Sequence, residues 1–177
     1  MGMESYYINL VPIGVKMVKG DETYRFVGRC NKEVTEIVRL LKEGGYLLDK
    51  KDDLLYELDN ILSLRFSCED SLVKTITIQG CFTWFEDGVK LIYNLSDYLN
   101  KEVLSIYINF AFGEDFYITS ETDFYNRITE GYKEKFEEFT KMYGTKKIKQ
   151  TVGKFYSKSN RTDGTISKIK KLLGIDI

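Results

Sequence analysis

The sequence predicts an α+β fold, an antiparallel or mixed sheet of about five strands covered by three to four helices, with a basic C-terminal appendage. Segments in which apolar residues alternate are interspersed with segments in which apolar residues recur every three or four positions. The charge is also divided along the chain. Residues 1–140 carry 16 Lys+Arg and 25 Asp+Glu, whereas residues 141–177 carry 10 and 2.

The N-terminal quarter predicts two strands and a helix. Residues 6–11 and 23–27 are short runs rich in β-branched and aromatic side chains, and we expect them to pair as a hairpin. From Asn31, a candidate N-cap, apolar residues follow helical spacing until Gly44 and Gly45 end the helix.

The next stretch, residues 46–66, fits two patterns. Its leucines suit a helix capped by Asp52 or Asp53, and they also suit strand alternation; the favoured interpretation is a helix that runs into a short strand. Residues 72–78 have β-branched or apolar side chains on both faces, which predicts a strand inside a sheet.

Two further helices and a hairpin are predicted beyond Gly80. Thr83 and Glu86 have capping-box spacing before a helix that extends to Leu99. Residues 104–112 alternate and turn into residues 116–119, which indicates a hairpin. A long helix then begins at the capping pair Ser120 and Asp123 and ends at Gly144.

This pattern divides the chain into an acidic α+β core domain, residues 1–144, and a basic extension, residues 145–177. The extension either packs on the acidic core or binds an external ligand, because charge of this kind serves association. Its basic side chains are the candidate nucleic-acid contacts Lys146, Lys147, Lys149, Lys154, Lys158, Arg161, Lys168, Lys170 and Lys171. Since only one of them is Arg, any such binding is expected to be weak and salt-sensitive.

The composition excludes several classes of enzyme. The 177 residues include no His, which removes Ser-His-Asp and Cys-His catalysis and most catalytic zinc sites. No glycine-rich nucleotide-binding motif occurs, and no cofactor or metal is expected. Three widely spaced cysteines, no secretory signal and no long apolar run predict a cytoplasmic protein without a membrane span.

Two groups of residues are candidate partner contacts. Crowded carboxylates could dock on a basic protein, or could simply favour a helix N-terminus through its dipole. Trp84, the only Trp, suits an interface anchor or a core position at a strand–helix junction. The candidate acidic face comprises Asp49, Asp52, Asp53, Glu57 and Asp59.

These observations predict a non-enzymatic protein-binding module, of the kind that inhibits an effector or confers immunity in a bacterial or phage system. The alternative is a nucleic-acid-associated protein that binds through the basic extension. A carboxylate- or metal-dependent enzyme using Glu86 and Asp87 or Glu114 and Asp115 is a third possibility that the sequence leaves open, with less support.

Overall fold

The fold is that of a computed structural model, which describes residues 5–19 and 24–144. Its helices are α1 (Val34–Glu43), α2 (Phe85–Tyr98) and α3 (Glu121–Tyr143). A 3-10 turn, Phe82–Trp84, leads into α2, and a π-helical turn, Leu99–Val103, follows it. The strands are β1 (Ser5–Pro12), β2 (Lys16–Lys19), β3 (Tyr24–Val27), β4 (Leu48–Lys50), β5 (Leu55–Leu58), β6 (Leu62–Glu69), β7 (Leu72–Cys81) and β8 (Ile106–Asn109).

Six of these strands form one antiparallel sheet in the order β4-β5-β6-β7-β1-β8. The predicted α+β class is therefore confirmed, with antiparallel pairing throughout this sheet. β2 and β3 form a separate two-stranded ribbon. The predicted extension, residues 145–177, lies outside the described residues, so the division of the chain at residue 144 stays a prediction.

The predicted pairing of the first two β runs is wrong. β1 pairs with β7 and β8, whereas β3 pairs with β2. The turn after β1 explains the difference, because Gly14 has a φ of +103° and the Val15 N–H donates to the Pro12 carbonyl at 3.0 Å. This turn redirects the chain into β2, which becomes the local partner of β3 and leaves β1 to long-range partners.

One face of the sheet carries the core. Tyr6, Ile8 and Leu10 project from β1 into a buried cluster to which all three helices contribute. The Tyr6 ring packs against Phe85 of α2 with centroids 5.0 Å apart, and its hydroxyl faces Gly88, where a Cβ would lie 2.0 Å away. The helices therefore cover this face, and the opposite face, here called the open face, carries the alternate residues of each strand.

All three helices fall where the periodicity predicts them, although two of their N-caps differ. α1 begins after Glu33 rather than Asn31, and Trp84 rather than Thr83 precedes α2. At α3 the prediction is confirmed, because the Ser120 hydroxyl accepts from the Asp123 N–H at 3.2 Å. In the first two cases no side chain forms the cap hydrogen bond.

The helix predicted within residues 46–66 is wrong. This stretch forms the β4–β5 hairpin, and Asp59 and Asn60, with φ of +50° and +57°, turn the chain into β6. All four residues of β5 are buried, so apolar side chains occupy both of its faces and obscure the alternation. The predicted strand over residues 116–119 is reduced to one antiparallel bridge between Phe116 and Ile108.

Candidate partner-binding surfaces

The predicted acidic face lies on the β4–β5 hairpin, at one edge of the sheet. Asp49 and Glu57 are cross-strand partners on the open face, and the Lys51 ammonium lies between them, 2.5 Å and 2.7 Å from their carboxylate oxygens. Glu57 is only 5% exposed, so a partner would not reach it directly. Two of the five carboxylates are thus already paired with one lysine.

The other three carboxylates occupy turns. Asp52 accepts a hydrogen bond from the Leu54 N–H at 2.8 Å, which fixes the hairpin loop, so the prediction that Asp52 or Asp53 caps a helix is wrong. Asp53 pairs with Lys50 at 2.8 Å, and this hydrogen bond lowers the pKa of the Asp53 carboxyl. Asp59 lies in the turn before β6. The structure therefore gathers the predicted residues on one hairpin and its turn.

Trp84 occupies the junction between β7 and α2, where its side chain is half-buried. It lines a groove of about 200 Å³ together with Phe136, Phe139 and Gly144, at the C-terminal end of α3. Trp84 thus lies at the strand–helix junction that the sequence suggested, and part of its side chain is exposed there.

The remaining predicted contacts fall elsewhere. The basic residues Lys146, Lys147, Lys149, Lys154, Lys158, Arg161, Lys168, Lys170 and Lys171 lie outside the described residues. Within residues 5–19 and 24–144, no group of three or more His, Cys, Asp or Glu side chains is placed to hold a metal ion. In the same part of the chain, no helix combines the length and the apolar character needed to cross a membrane.

The open face carries a feature that the sequence did not reveal, a row of polar side chains that crosses three strands. The Thr77 hydroxyl donates to Asn9 Oδ1 at 2.8 Å, and Asn9 Nδ2 donates to Asn109 Oδ1 at 2.9 Å. Asn109 Nδ2 then donates to Asp115 Oδ1 at 2.8 Å. This amide row, Thr77–Asn9–Asn109–Asp115, runs from β7 through β1 and β8 to the loop that follows β8.

Strand register produces the amide row. Thr77 is opposite Asn9, and Asn9 is opposite Asn109. The Phe116 bridge to Ile108, with backbone hydrogen bonds of 2.8 Å and 3.0 Å, extends the sheet by one residue pair. Because facing residues in an antiparallel bridge share a face, Asp115 meets Asn109 and Tyr117 meets Tyr107 on the open face.

A groove of about 510 Å³ lies beside the end of the amide row and is here called the β8-edge groove. The Tyr107 and Tyr117 rings have centroids 6.2 Å apart at 60°, and the Tyr107 hydroxyl donates to the Val15 carbonyl at 3.1 Å. Burial raises the pKa of Tyr107, and the nearby Asp115 charge raises it further. The remaining walls are Ile13, Gly14, Lys16, Met17 and Phe116.

Exposed apolar side chains collect around this groove. Ile13 is 56% exposed and Tyr117 62% exposed, and both line the groove. The neighbouring β2–β3 ribbon adds the exposed apolar side chains Met17, Val18, Tyr24 and Val27. In the described chain, half of the large exposed apolar side chains therefore lie in one area. They are the four of the ribbon, Ile13 in the turn before it, and Tyr117.

The sequence pattern predicts the position of two residues on this surface. Tyr107 and Asn109 alternate with the apolar residues of β8, which places both on the face away from the core. The strand that lies beside β8 is β1, almost a hundred residues earlier, and no local pattern identifies such a neighbour.

Comparison of the chain with protein-family models, curated proteins and solved structures yielded no match.

Proposed function

We propose that this chain is a non-enzymatic protein-binding module and that it captures its partner at the β8-edge groove. The observation that carries the proposal is the set of exposed apolar side chains around an oriented carboxylate. Ile13 and Tyr117 each expose more than half of their surface beside Asp115. Large exposed apolar patches rimmed by polar groups are typical of interaction sites, and aromatic and Met side chains are enriched in interfaces.

The chemistry of the groove favours a protein over an anionic ligand. Nucleic acids and phosphorylated small molecules need an excess of positive charge. Here the lining contains one lysine, Lys16, and one carboxylate, Asp115, with two tyrosines and several apolar side chains. A partner with an apolar patch and a cationic or neutral polar rim would match this composition.

The narrower form of the proposal is that the partner is an effector of a bacterial or phage system and that capture blocks its activity. This inhibitor or immunity-type role comes from the sequence, which combines a small α+β domain with no recognisable catalytic motif. It adds one testable requirement to protein binding, namely that the captured partner loses its activity when bound.

Capture of tagged protein from a lysate of its own host, with and without nuclease, tests the proposal. The wild-type chain is expected to retain one stoichiometric protein after nuclease treatment. Replacing Ile13→Ser together with Tyr117→Ser should reduce that recovery at least tenfold, because hot-spot anchors carry most of the binding energy. Leu47→Ser with Tyr125→Ser, two exposed side chains away from the groove, is the matched control and should leave recovery unchanged.

Two results would contradict the proposal. Equal recovery by the groove variant and the control would remove the groove from the interaction. Recovery of nucleic acid alone, lost on nuclease treatment, would favour the alternative in which residues 145–177 bind nucleic acid.

A further inference from the structure

We propose that the β8-edge groove receives a lysine or arginine side chain of a protein partner and that Asp115 is its counter-ion. This inference deepens the proposed function and rests on it. Three features of the groove lead to this chemistry: the fixed carboxylate, the pair of tyrosine rings and the apolar walls.

The carboxylate is held in place and retains capacity to bind. Asp115 Oδ1 accepts from Asn109 Nδ2 at 2.8 Å, and Asn109 is only 7% exposed. Asn109 is itself held by Asn9, whose amide oxygen accepts from Thr77. Among the described residues, Asp115 Oδ2 has no hydrogen-bond partner. An ionised carboxylate accepts up to about four hydrogen bonds, so this oxygen can accept from a bound cation.

Asp115 forms no ion pair with a side chain of the described residues. Its one hydrogen-bond donor, Asn109, is a neutral amide, and the amide row behind it, Asn9 and Thr77, is also neutral. Lys16 lines the same groove, yet it forms no ion pair with Asp115 in the described residues. A carboxylate that is oriented by neutral donors and lacks a cation is complementary to a cationic ligand.

The rings and apolar walls select a cation that has an apolar stem. The Tyr107 and Tyr117 rings both line the groove, at 60° to each other, and a cation above a tyrosine face gains electrostatic attraction. Ile13 and Met17 supply apolar contact for methylene groups. Lysine and arginine are the side chains that carry a charge on a methylene stem, and a protein partner presents them in a fixed position.

A titration of the full chain with two peptides tests the inference. The probes are acetylated tripeptide amides, Gly-Arg-Gly and Gly-citrulline-Gly, which differ in charge and hardly in shape. NMR signals of the Asn109 side-chain amide and the Tyr117 ring report on the groove. We expect the arginine peptide to shift both signals and to bind about tenfold more tightly than the citrulline peptide.

Three variants separate recognition from structure. Asp115→Asn should remove the discrimination between the peptides, whereas Asp52→Asn, a carboxylate on the opposite edge of the sheet, should preserve it. Tyr117→Leu leaves the amide row intact and should still weaken the arginine peptide, which keeps the test valid if Asp115→Asn disturbs the row. Unchanged Asn9 amide signals would show that the row remains formed.

Equal binding of the two peptides, or no shift from either, would overturn the inference. Capture from lysate distinguishes this failure from failure of the proposed function. If Ile13→Ser with Tyr117→Ser abolishes capture while Asp115→Asn retains it fully, protein binding stands and the cationic side chain is wrong. If neither variant changes capture, the proposed function itself fails. Loss of capture in both variants supports the two proposals together.

Discussion

The two edges of the six-stranded sheet both carry carboxylates on the open face, but they balance the charge differently. At the β4 edge, Lys51 lies between Asp49 and Glu57, and Lys50 pairs with Asp53. At the β8 edge, a neutral amide holds Asp115, and no cation pairs with it among the described residues. The density of carboxylates in the sequence therefore points to the first edge, whereas a single carboxylate held by an amide beside apolar side chains points to the second.

The apolar surroundings strengthen this contrast. The β8-edge groove includes the exposed side chains of Ile13 and Tyr117, beside a ribbon with further exposed apolar residues. The β4 edge exposes Leu47 and Leu54, and the charged residues 49–53 lie between them in the chain. Since interface cores are depleted in charge and enriched in aromatic side chains, the β8 edge has the composition of an interface.

The largest effect is expected from Asn109→Ala at the β8 edge. Removing this amide leaves Asn9 Nδ2 without its acceptor and Asp115 Oδ1 without its donor, which should cost about 2 kcal/mol in the free energy of unfolding. Urea denaturation measures this change. Asn126→Ala, at an exposed position on α3, is the control and should change stability by less than about 0.5 kcal/mol. An equally small effect at Asn109 would show that the amide row contributes no rigidity.

A smaller loss is expected from Lys51→Met at the β4 edge. Glu57 is 5% exposed and would lose its cation, but Lys51 is itself 38% exposed, so solvent already screens the pair. We expect a loss of about 1 kcal/mol in urea denaturation. Lys50→Met is the matched control and should produce no measurable change, because Asp53 is 95% exposed. A loss larger than that of Asn109→Ala would show that the ion pairs at the β4 edge contribute more to stability than the amide row at the β8 edge.

The sequence predicted the helices and strands of this fold better than it predicted which strands pair with each other. The three helices have clean apolar periodicity, the β-branched and aromatic residues of β1 and β7 indicate strands, and alternation identifies β8. The sequence failed where burial hides periodicity, as in β5, whose four residues are all buried. It also failed at Gly14, since a turn residue does not reveal that β1 will pair with β7 and β8.

The two candidate surfaces also differ in how far the sequence predicts them. A cluster such as Asp49 to Asp59 is visible because its members are close in sequence. The amide row joins Asn9, Thr77, Asn109 and Asp115, which only the strand order and register bring together. Local patterns therefore identify dense charge readily, and they miss sites that long-range pairing assembles.

Charge reversal at the β4 edge tests the acidic face that the sequence predicted. Glu57 is buried, so the variant is restricted to Asp52→Lys with Asp53→Lys, which are exposed. If the β8 edge is the interface, capture of the host partner should fall less than about threefold, through a slower association rate that depends on salt. Asp115→Asn should reduce capture about tenfold. Surface plasmon resonance with the captured partner measures both.

The outcome assigns the interface to one edge. Abolition of binding by Asp52→Lys with Asp53→Lys, combined with full binding by Asp115→Asn, would establish the acidic face and contradict the β8-edge groove. Retained circular dichroism and an unchanged unfolding midpoint are needed in each variant, since the comparison concerns binding alone.

The smallest effect on stability is expected from deleting residues 145–177. If this basic extension rests on the acidic core, the truncated chain should lose less than about 1 kcal/mol, and only at low salt, because exposed charges are screened within about 10 Å at 0.1 M. Urea denaturation at low and high salt measures the loss. A loss of equal size at both salt concentrations would contradict electrostatic contact with the core.

Combining this deletion with charge reversal locates any such contact. If the extension lies against the β4 edge, the effects of the deletion and of Asp52→Lys with Asp53→Lys should be non-additive, whereas independent sites add. Additive effects, together with loss of low-salt retention on phosphocellulose after the deletion, would instead assign residues 145–177 to a nucleic-acid ligand. The ion pairs of Lys51 with Asp49 and Glu57 and of Lys50 with Asp53 would then be an ordinary charged surface of the core, and the carboxylate that the amide row holds at the β8 edge would remain the candidate for a cationic partner.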